Sequence, residues 1–165
     1  MRVALVSESP HESLADLLCR VHSYYSPGSS VPHDLVRTYL VDHLLALDSP
    51  LRLVVASREG EQAIGFAAIS LTYSLVEPAP EKRRHCWLKE LYVRSSERSL
   101  GAGTALMSWV ARYAAEHACS RIDWPVKAGN TRGIAFYERL GARPVSDRLS
   151  YRLSGPELRK LASAC

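Results

Sequence analysis

One run of six residues, Arg98-Ser99-Leu100-Gly101-Ala102-Gly103, constrains this chain more than any other feature. It lies between an apolar strand pattern ending at Val93 and an amphipathic helix pattern that begins near Thr104. Glycines at such a junction let the backbone turn and approach a ligand closely. The first amides of the following helix have no carbonyl partners, and the helix dipole adds positive charge at the same end. A phosphate or diphosphate is therefore the natural guest. The same spacing also suits a plain turn that starts a helix.

Three phosphate-binding patterns compete for this run. A Walker A loop ends in Gly-Lys-Ser/Thr, whereas Gly103 is followed by Thr104-Ala105, so that pattern fails. A Rossmann loop needs a third small residue where Leu106 stands, and its glycines follow the strand directly. Here residues 94–100 intervene, and Asp123, at a suitable distance for a ribose acid, falls inside a predicted strand. The third pattern is Arg/Gln-x-x-Gly-x-Gly/Ala after an apolar strand, which Arg98 to Gly103 satisfies.

Around this loop the hydrophobic periodicity predicts strand 2–6 and a helix opened by Ser9-Pro10, with Leu14, Leu17, Leu18 and Val21 on one face. A second helix carries Leu35, Val36, Tyr39, Leu40, Leu44 and Leu47. Strands 51–56 and 63–73 are joined by a hairpin turn at residues 58–61. Strand 86–93, helix 104–117, strand 121–126 and helix 132–140 follow, the last closed by Gly141. Two short strands are expected around Pro144-Val145 and over 149–153, then a polar tail. This order reads as α+β with a mixed sheet.

The length of 165 residues suits one domain, 1–165, around one core. With 47% hydrophobic and 23% charged residues the chain is neither disordered, collagen-like nor a disulfide-dense miniprotein. No stretch approaches the ~20 apolar residues of a membrane span, and the first eight residues hold too short an apolar core for a signal peptide. A cytoplasmic protein without a membrane partner is expected. The net charge of +4 suits a small anionic ligand and gives little support to a nucleic-acid partner. The basic run Lys82-Arg83-Arg84 reads as a solvated loop. Cys19, Cys86, Cys119 and Cys165 form no C-x-x-C pair and the histidines are dispersed. Reduced structural cysteines and no metal are expected.

Residues 88–147 resemble motifs A and B of the GNAT superfamily of N-acetyltransferases. The resemblance rests on Leu91-Tyr92-Val93, the run from Arg98 to Gly103 with its helix, Asn130, and Phe136-Tyr137-Glu138-Arg139-Leu140-Gly141-Ala142. They occur in that order at the family's usual spacing, over somewhat more than a third of the chain. The N-terminal half agrees in element order only. The resemblance implies a GNAT-like α+β fold: a mixed, mostly antiparallel central sheet flanked by helices and splayed at the cofactor site.

It also implies acetyl-CoA as acetyl donor, with its diphosphate on the amides of Leu100, Gly101, Ala102, Gly103 and Thr104 and with Arg98 as a nearby charge. Ser99 stands where many members carry a further glycine. The pantetheine arm pairs with the preceding strand like an added edge, so Leu91 and Val93 would supply backbone contacts. Asn130 matches a position that contacts the cofactor near its reactive end; on its own it is a turn residue. Tyr137 matches a tyrosine that many members use as general acid. A phenol, with a pKa of about 10, stays protonated at neutral pH and donates to a departing thiolate; otherwise Tyr137 is a core residue beside Phe136.

The attacking amine must lose a proton, because an alkyl ammonium has a pKa of about 10.4. Glu90 is the best-placed base, and it would equally anchor a substrate ammonium or pair with Lys89; His85 is a second candidate. The run from 88 to 142 looks most like the spermidine/spermine and thialysine N-acetyltransferase branch. That branch carries two adjacent acids where this chain has Lys89-Glu90, and residues 22–32 contain no acid. A small primary amine, an amino acid, diamine or related amine, is therefore expected as acceptor, attacking directly, rather than a long polyamine. His22, Tyr24, Tyr25, Trp87 and Trp124 are candidate acceptor-side residues. The alternatives are a protein N-terminus or lysine, an antibiotic amine, or a non-catalytic acyl-CoA-binding module. The resembling branch implies a homodimer.

Overall fold

The computed structural model describes residues 1–6, 11–58 and 62–164. The helix start at Ser9-Pro10, most of the hairpin turn at 58–61 and Cys165 lie outside the described residues. The chain falls into two units, Met1–Pro125 and Val126–Cys165.

The first unit is built on a five-stranded sheet: β1 (Arg2–Leu5), β2 (Arg52–Ser57), β3 (Ala63–Tyr73), β4 (Arg84–Val93) and β5 (Cys119–Asp123). The strands lie side by side in chain order, antiparallel except for the parallel β4–β5 pair. A doubly wound dinucleotide fold needs a mostly parallel sheet, so this topology removes the Rossmann reading. The expected α+β class, with a mixed and mostly antiparallel sheet, is what forms.

Strand residues alternate between faces, and both faces are covered. Leu53, Val55, Phe66 and Ala68 pack with Leu14, Ala15 and Leu17 of α1 (His11–Tyr25) and Val36 of α2 (His33–Tyr39). The alternate residues Val54, Ala67 and Ile69 are equally buried and face α3 (Ala102–Glu116). That helix turns Leu106, Val110 and Ala114 inward, a spacing of four residues that keeps them on one stripe. Each fully buried Leu or Val here contributes about 1.5–3 kcal/mol.

Three expectations need correction. The second helix is interrupted: after Tyr39 the backbone widens into a π turn over Leu40–Leu44, where the Leu45 N–H donates to the Leu40 carbonyl at 2.9 Å. This ends the apolar stripe early and leaves Leu47 fully exposed. Next, β5 starts and stops earlier than the pattern predicted, and Trp124 and Pro125 lie beyond its pairing. Finally, no strand forms at 144–145 or 149–153. The period-2 pattern of 149–153 is present, but a strand also needs a partner, and no described residue pairs with either segment.

The second unit holds α4 (Thr131–Arg139) and α5 (Gly155–Ala162). Gly141, at φ 89°, closes α4 as expected, and the Ala142 N–H donates back to the Tyr137 carbonyl at 3.1 Å. Helix α5 stands where a polar tail was expected. Pro156 in its first turn, Glu157 beside it and Arg159-Lys160 in the last turn are ordinary start and stop signals.

Candidate functional site

A bulge in β4 sets the site's geometry. Glu90 lies opposite Ala68 of β3, but Leu88 lies opposite the adjacent Ile69, so Lys89 is an extra residue. Ala68 and Phe66 face α1 and α2, and their partners Glu90 and Tyr92 therefore face those helices too. Leu88 and Leu91, opposite Ile69 and Ala67, turn toward α3. A regular strand would have put Leu88 and Glu90 on one face. Leu88 and Leu91, apolar residues an odd number apart, are the sequence signal for this bulge.

Beyond the bulge, β4 loses its neighbour. Pairing with β5 ends at Trp87 opposite Asp123, while β4 continues to Val93. The Arg94 N–H donates to Ile64 of β3 at 2.8 Å. Bonded and non-bonded positions alternate along an antiparallel ladder. Tyr92 thus bonds to β3, and Leu91 and Val93 turn their N–H and C=O groups into the gap left by β5. Two side chains meet them there. Arg98 Nε donates to the Val93 carbonyl at 2.9 Å, and the Leu91 N–H reaches Glu90 Oε1 at 3.3 Å. The splay is thus an open backbone edge in which Leu91 and Val93 present the groups.

The Gly-rich loop follows at the end of this strand. Its base is fixed by Arg58, which donates to Glu97 Oε2 through Nε at 3.0 Å and Nη2 at 2.7 Å. Ser99 and Gly101 both take positive φ, 65° and 89°. Gly101 is the N-cap of α3, and its carbonyl accepts from the Ala105 N–H at 2.9 Å. No side chain caps the helix. The N–H groups of Ala102, Gly103 and Thr104 thus have no acceptor within the helix. A Cβ at Gly101 would meet nothing within 4 Å, so the glycine answers to its left-handed backbone angle and the space before it is open. Leu100 is exposed beside it. Arg98, expected as a nearby charge, is spent in part on Val93, with its guanidinium carbon 5.9 Å from the centre of the Tyr92 ring.

Glu90 has a partner that the pattern did not reveal. Tyr25, the last residue of α1, donates its phenol to Glu90 Oε2 at 2.9 Å. Tyr24 packs edge-on to Tyr25, with ring centres 5.1 Å apart. Trp87, opposite Ser70, lies on the same face as Glu90 and is 40% exposed. His85 sits in the paired part of β4, where Arg121 Nη2 lies 3.2 Å from its Nδ1. Arg121 also binds Asp123 at 2.6 Å, so His85 and Asp123 join one surface network in the paired part of the β4–β5 ladder.

In the second unit, Asn130 is the N-cap of α4, its Oδ1 accepting from the Gly133 N–H at 3.0 Å. A Cβ at Gly133 would come within 2.5 Å of Asn130 Nδ2, so these two residues fit as a pair. Tyr137 lies on α4 against Phe136, ring centres 5.2 Å apart. Among the described residues no group of acidic, histidine or cysteine side chains could hold a metal ion. Cys19, Cys86 and Cys119 are free thiols. No helix is long and apolar enough to cross a membrane among the residues described.

The splayed edge and the uncapped helix suit a long ligand that carries both amides and an anionic diphosphate. A sequence profile described as "Acetyltransferase (GNAT) family" matches residues 13–142. Bovine thialysine N-epsilon-acetyltransferase is 27% identical over 107 residues, covering 63% of this chain and 60% of that protein. The L-ornithine N5-acetyltransferase of Arabidopsis thaliana is 29% identical over 75 residues, 46% of this chain and 33% of that one. The chain thus spans 60% of the length of the bovine relative and a third of the plant one. An integron cassette protein from the mobile metagenome of V. cholerae superposes with TM-score 0.87 at 26% identity, over 99% of this chain and 98% of that one. An aminoglycoside N-acetyltransferase in complex with CoA shares the fold at TM-score 0.71 and 22% identity, over 92% and 93%.

Proposed function

The chain belongs to the acetyltransferase (GNAT) family, and on that premise we propose that it transfers the acetyl group of acetyl-CoA to a primary amine of a small molecule, an amino acid, diamine or related amine, by direct attack. The observation that carries this reading is the junction of the splayed β4 edge with the uncapped N-terminus of α3. Acetyl-CoA supplies an activated acetyl thioester. Ala102, Gly103 and Thr104, with Leu100 and Gly101 before them, offer amides to its diphosphate. Leu91 and Val93 offer strand-like bonds to its amide arm, in exchange for their contacts with Glu90 and Arg98.

Glu90 faces the acceptor side and takes the proton of the incoming ammonium, directly or through water. Tyr137 and Asn130 take their roles from the motif match: Tyr137 gives its phenolic proton to the departing CoA sulfur, and Asn130 contacts the cofactor. The N–C bond forms as the C–S bond breaks; the acylated nitrogen then gives its second proton, directly or through water, to the Tyr137 phenolate, which leaves a neutral amide, a free thiol and a reprotonated Tyr137. Lys89 beside Glu90, and the lack of acids over residues 22–32, disfavour a polycationic acceptor. The relatives named for thialysine and ornithine support an amino-acid-like amine.

The family match runs across the boundary between the two units, which supports reading residues 1–165 as one acetyltransferase domain. A cytoplasmic homodimer completes the proposal.

Thermal unfolding with acetyl-CoA, NAD or ATP tests the donor. A ligand at 100 times its Kd adds about 2.7 kcal/mol, a shift of several degrees. Acetyl-CoA alone should produce it, and its failure at high concentration would overturn the proposal. Thiol release with thialysine, ornithine and spermidine then tests the acceptor: the first two should turn over well and spermidine poorly. Preferential turnover of spermidine would reverse the specificity argument.

A further inference from the structure

We infer that Tyr25 is a positioning residue for amine capture, holding the Glu90 carboxylate toward the acceptor side. The role of the amine rests on the acetyl-transfer reading above; the contact between the two side chains stands on geometry alone. Tyr25 ends α1, a helix anchored to the sheet by Leu14, Ala15 and Leu17, all fully buried. The chain turns away at once, with the Ser26 N–H bonded to the His22 carbonyl at 2.8 Å. Tyr24 packs edge-on against the Tyr25 ring. The phenol is therefore presented from a fixed helix end rather than from a free loop.

Its partner is equally constrained. The Lys89 bulge rotates Glu90 onto the α1 face of β4, where Tyr25 reaches Oε2 at 2.9 Å. The other oxygen, Oε1, takes the Leu91 N–H at 3.3 Å. An ionised carboxylate only accepts hydrogen bonds, and each oxygen has two lone pairs. A donor on each oxygen fixes the plane of the carboxylate that the ammonium would meet. A phenol suits this task because it donates to the carboxylate without adding a competing positive charge. A Lys or Arg at the same place would neutralise the site that the amine must enter. When the amide arm of acetyl-CoA takes the Leu91 N–H, the Tyr25 bond to Oε2 still holds Glu90 in orientation.

Wild type, Tyr25→Phe, Glu90→Gln and the double variant, compared in solution, test this. The phenylalanine keeps the ring that packs on Tyr24. First, the Glu90 carboxyl carbon resonance, assigned by its loss in Glu90→Gln, should move in Tyr25→Phe without any ligand. An unmoved resonance overturns the inference whatever the enzyme's activity. Second, with thialysine and ornithine as probes, Tyr25→Phe should lower kcat/KM for the amine about tenfold, the scale of a hydrogen bond to a charged group. KM for acetyl-CoA should hold. In the Glu90→Gln background the same substitution should change kcat/KM by no more than about twofold, because coupled residues are not additive. Full additivity, or a loss confined to acetyl-CoA binding, overturns the role. A resonance that moves in a protein whose wild type acetylates neither amine would confirm the bond, and overturn both the acetyl-transfer reading and the capture role.

Discussion

Tyr137 and Cys86 illustrate how differently two weakly acidic side chains can be used. In the proposed reaction Tyr137 is valuable for its proton, and Tyr137→Phe should lower kcat by about a hundredfold. Acetyl-CoA binding, measured by thermal shift, should survive. Unchanged turnover would remove Tyr137 from the mechanism, and wild-type binding with no turnover of any amine would favour a non-catalytic acyl-CoA module. Cys86 keeps its proton for structural reasons. Burial in β4, with Cys119 nearby, pushes its thiol from the usual 9.0 up to about 12. Between those values the folded chain retains a proton that the unfolded chain has released. Stability present below pH 9 therefore declines as pH rises toward 12. In urea titrations over that alkaline range, Cys86→Ala should decline less steeply than wild type. Parallel slopes would show that the thiol contributes nothing.

At the scale of elements, two helix starts divide the labour of capping. Helix α3 begins without a side-chain cap and offers its first amides outward, whereas Asn130 closes the start of α4 with its own side chain. Asn130→Ala should accordingly cost about 1 kcal/mol in thermal unfolding. Gly133→Ala should cost at least as much, because its Cβ would collide with the Asn130 amide. Stability unchanged in both variants would mean that the cap does not form in solution. Gly101→Ala addresses the other start. The left-handed backbone costs a residue with a Cβ about 1–2 kcal/mol. The new methyl group would also enter the open space before α3, so the stabilisation by acetyl-CoA should shrink as well. A protein destabilised to that degree yet stabilised normally by acetyl-CoA would place the diphosphate elsewhere.

Over the whole molecule, the proposed homodimer would draw on the exposed apolar residues around 149–153. Leu149, Tyr151 and Leu153 alternate along non-helical chain and are 79%, 88% and 49% exposed. An apolar, unpaired strand pattern of this kind is a template for another chain. Sedimentation should find the wild type dimeric at micromolar concentration and a Leu149→Lys, Leu153→Lys variant monomeric. A monomeric wild type would end the dimer proposal. The same segment shows where sequence stops: its period of two is legible, but pairing is a long-range property and left it without a partner. By itself the sequence determined the apolar faces of α1 and α3, the Gly101 turn and the chain order of β1 to β5, because periodicity and backbone angle are local. It also carried the family resemblance, since the loop from Arg98 to Gly103 must be written in adjacent residues. Only the tertiary structure decided the loss of β5 beyond Trp87 and the meeting of Tyr25 with Glu90. These depend on how strands register and where a distant helix ends, and no spacing along the chain encodes a contact between residues 25 and 90.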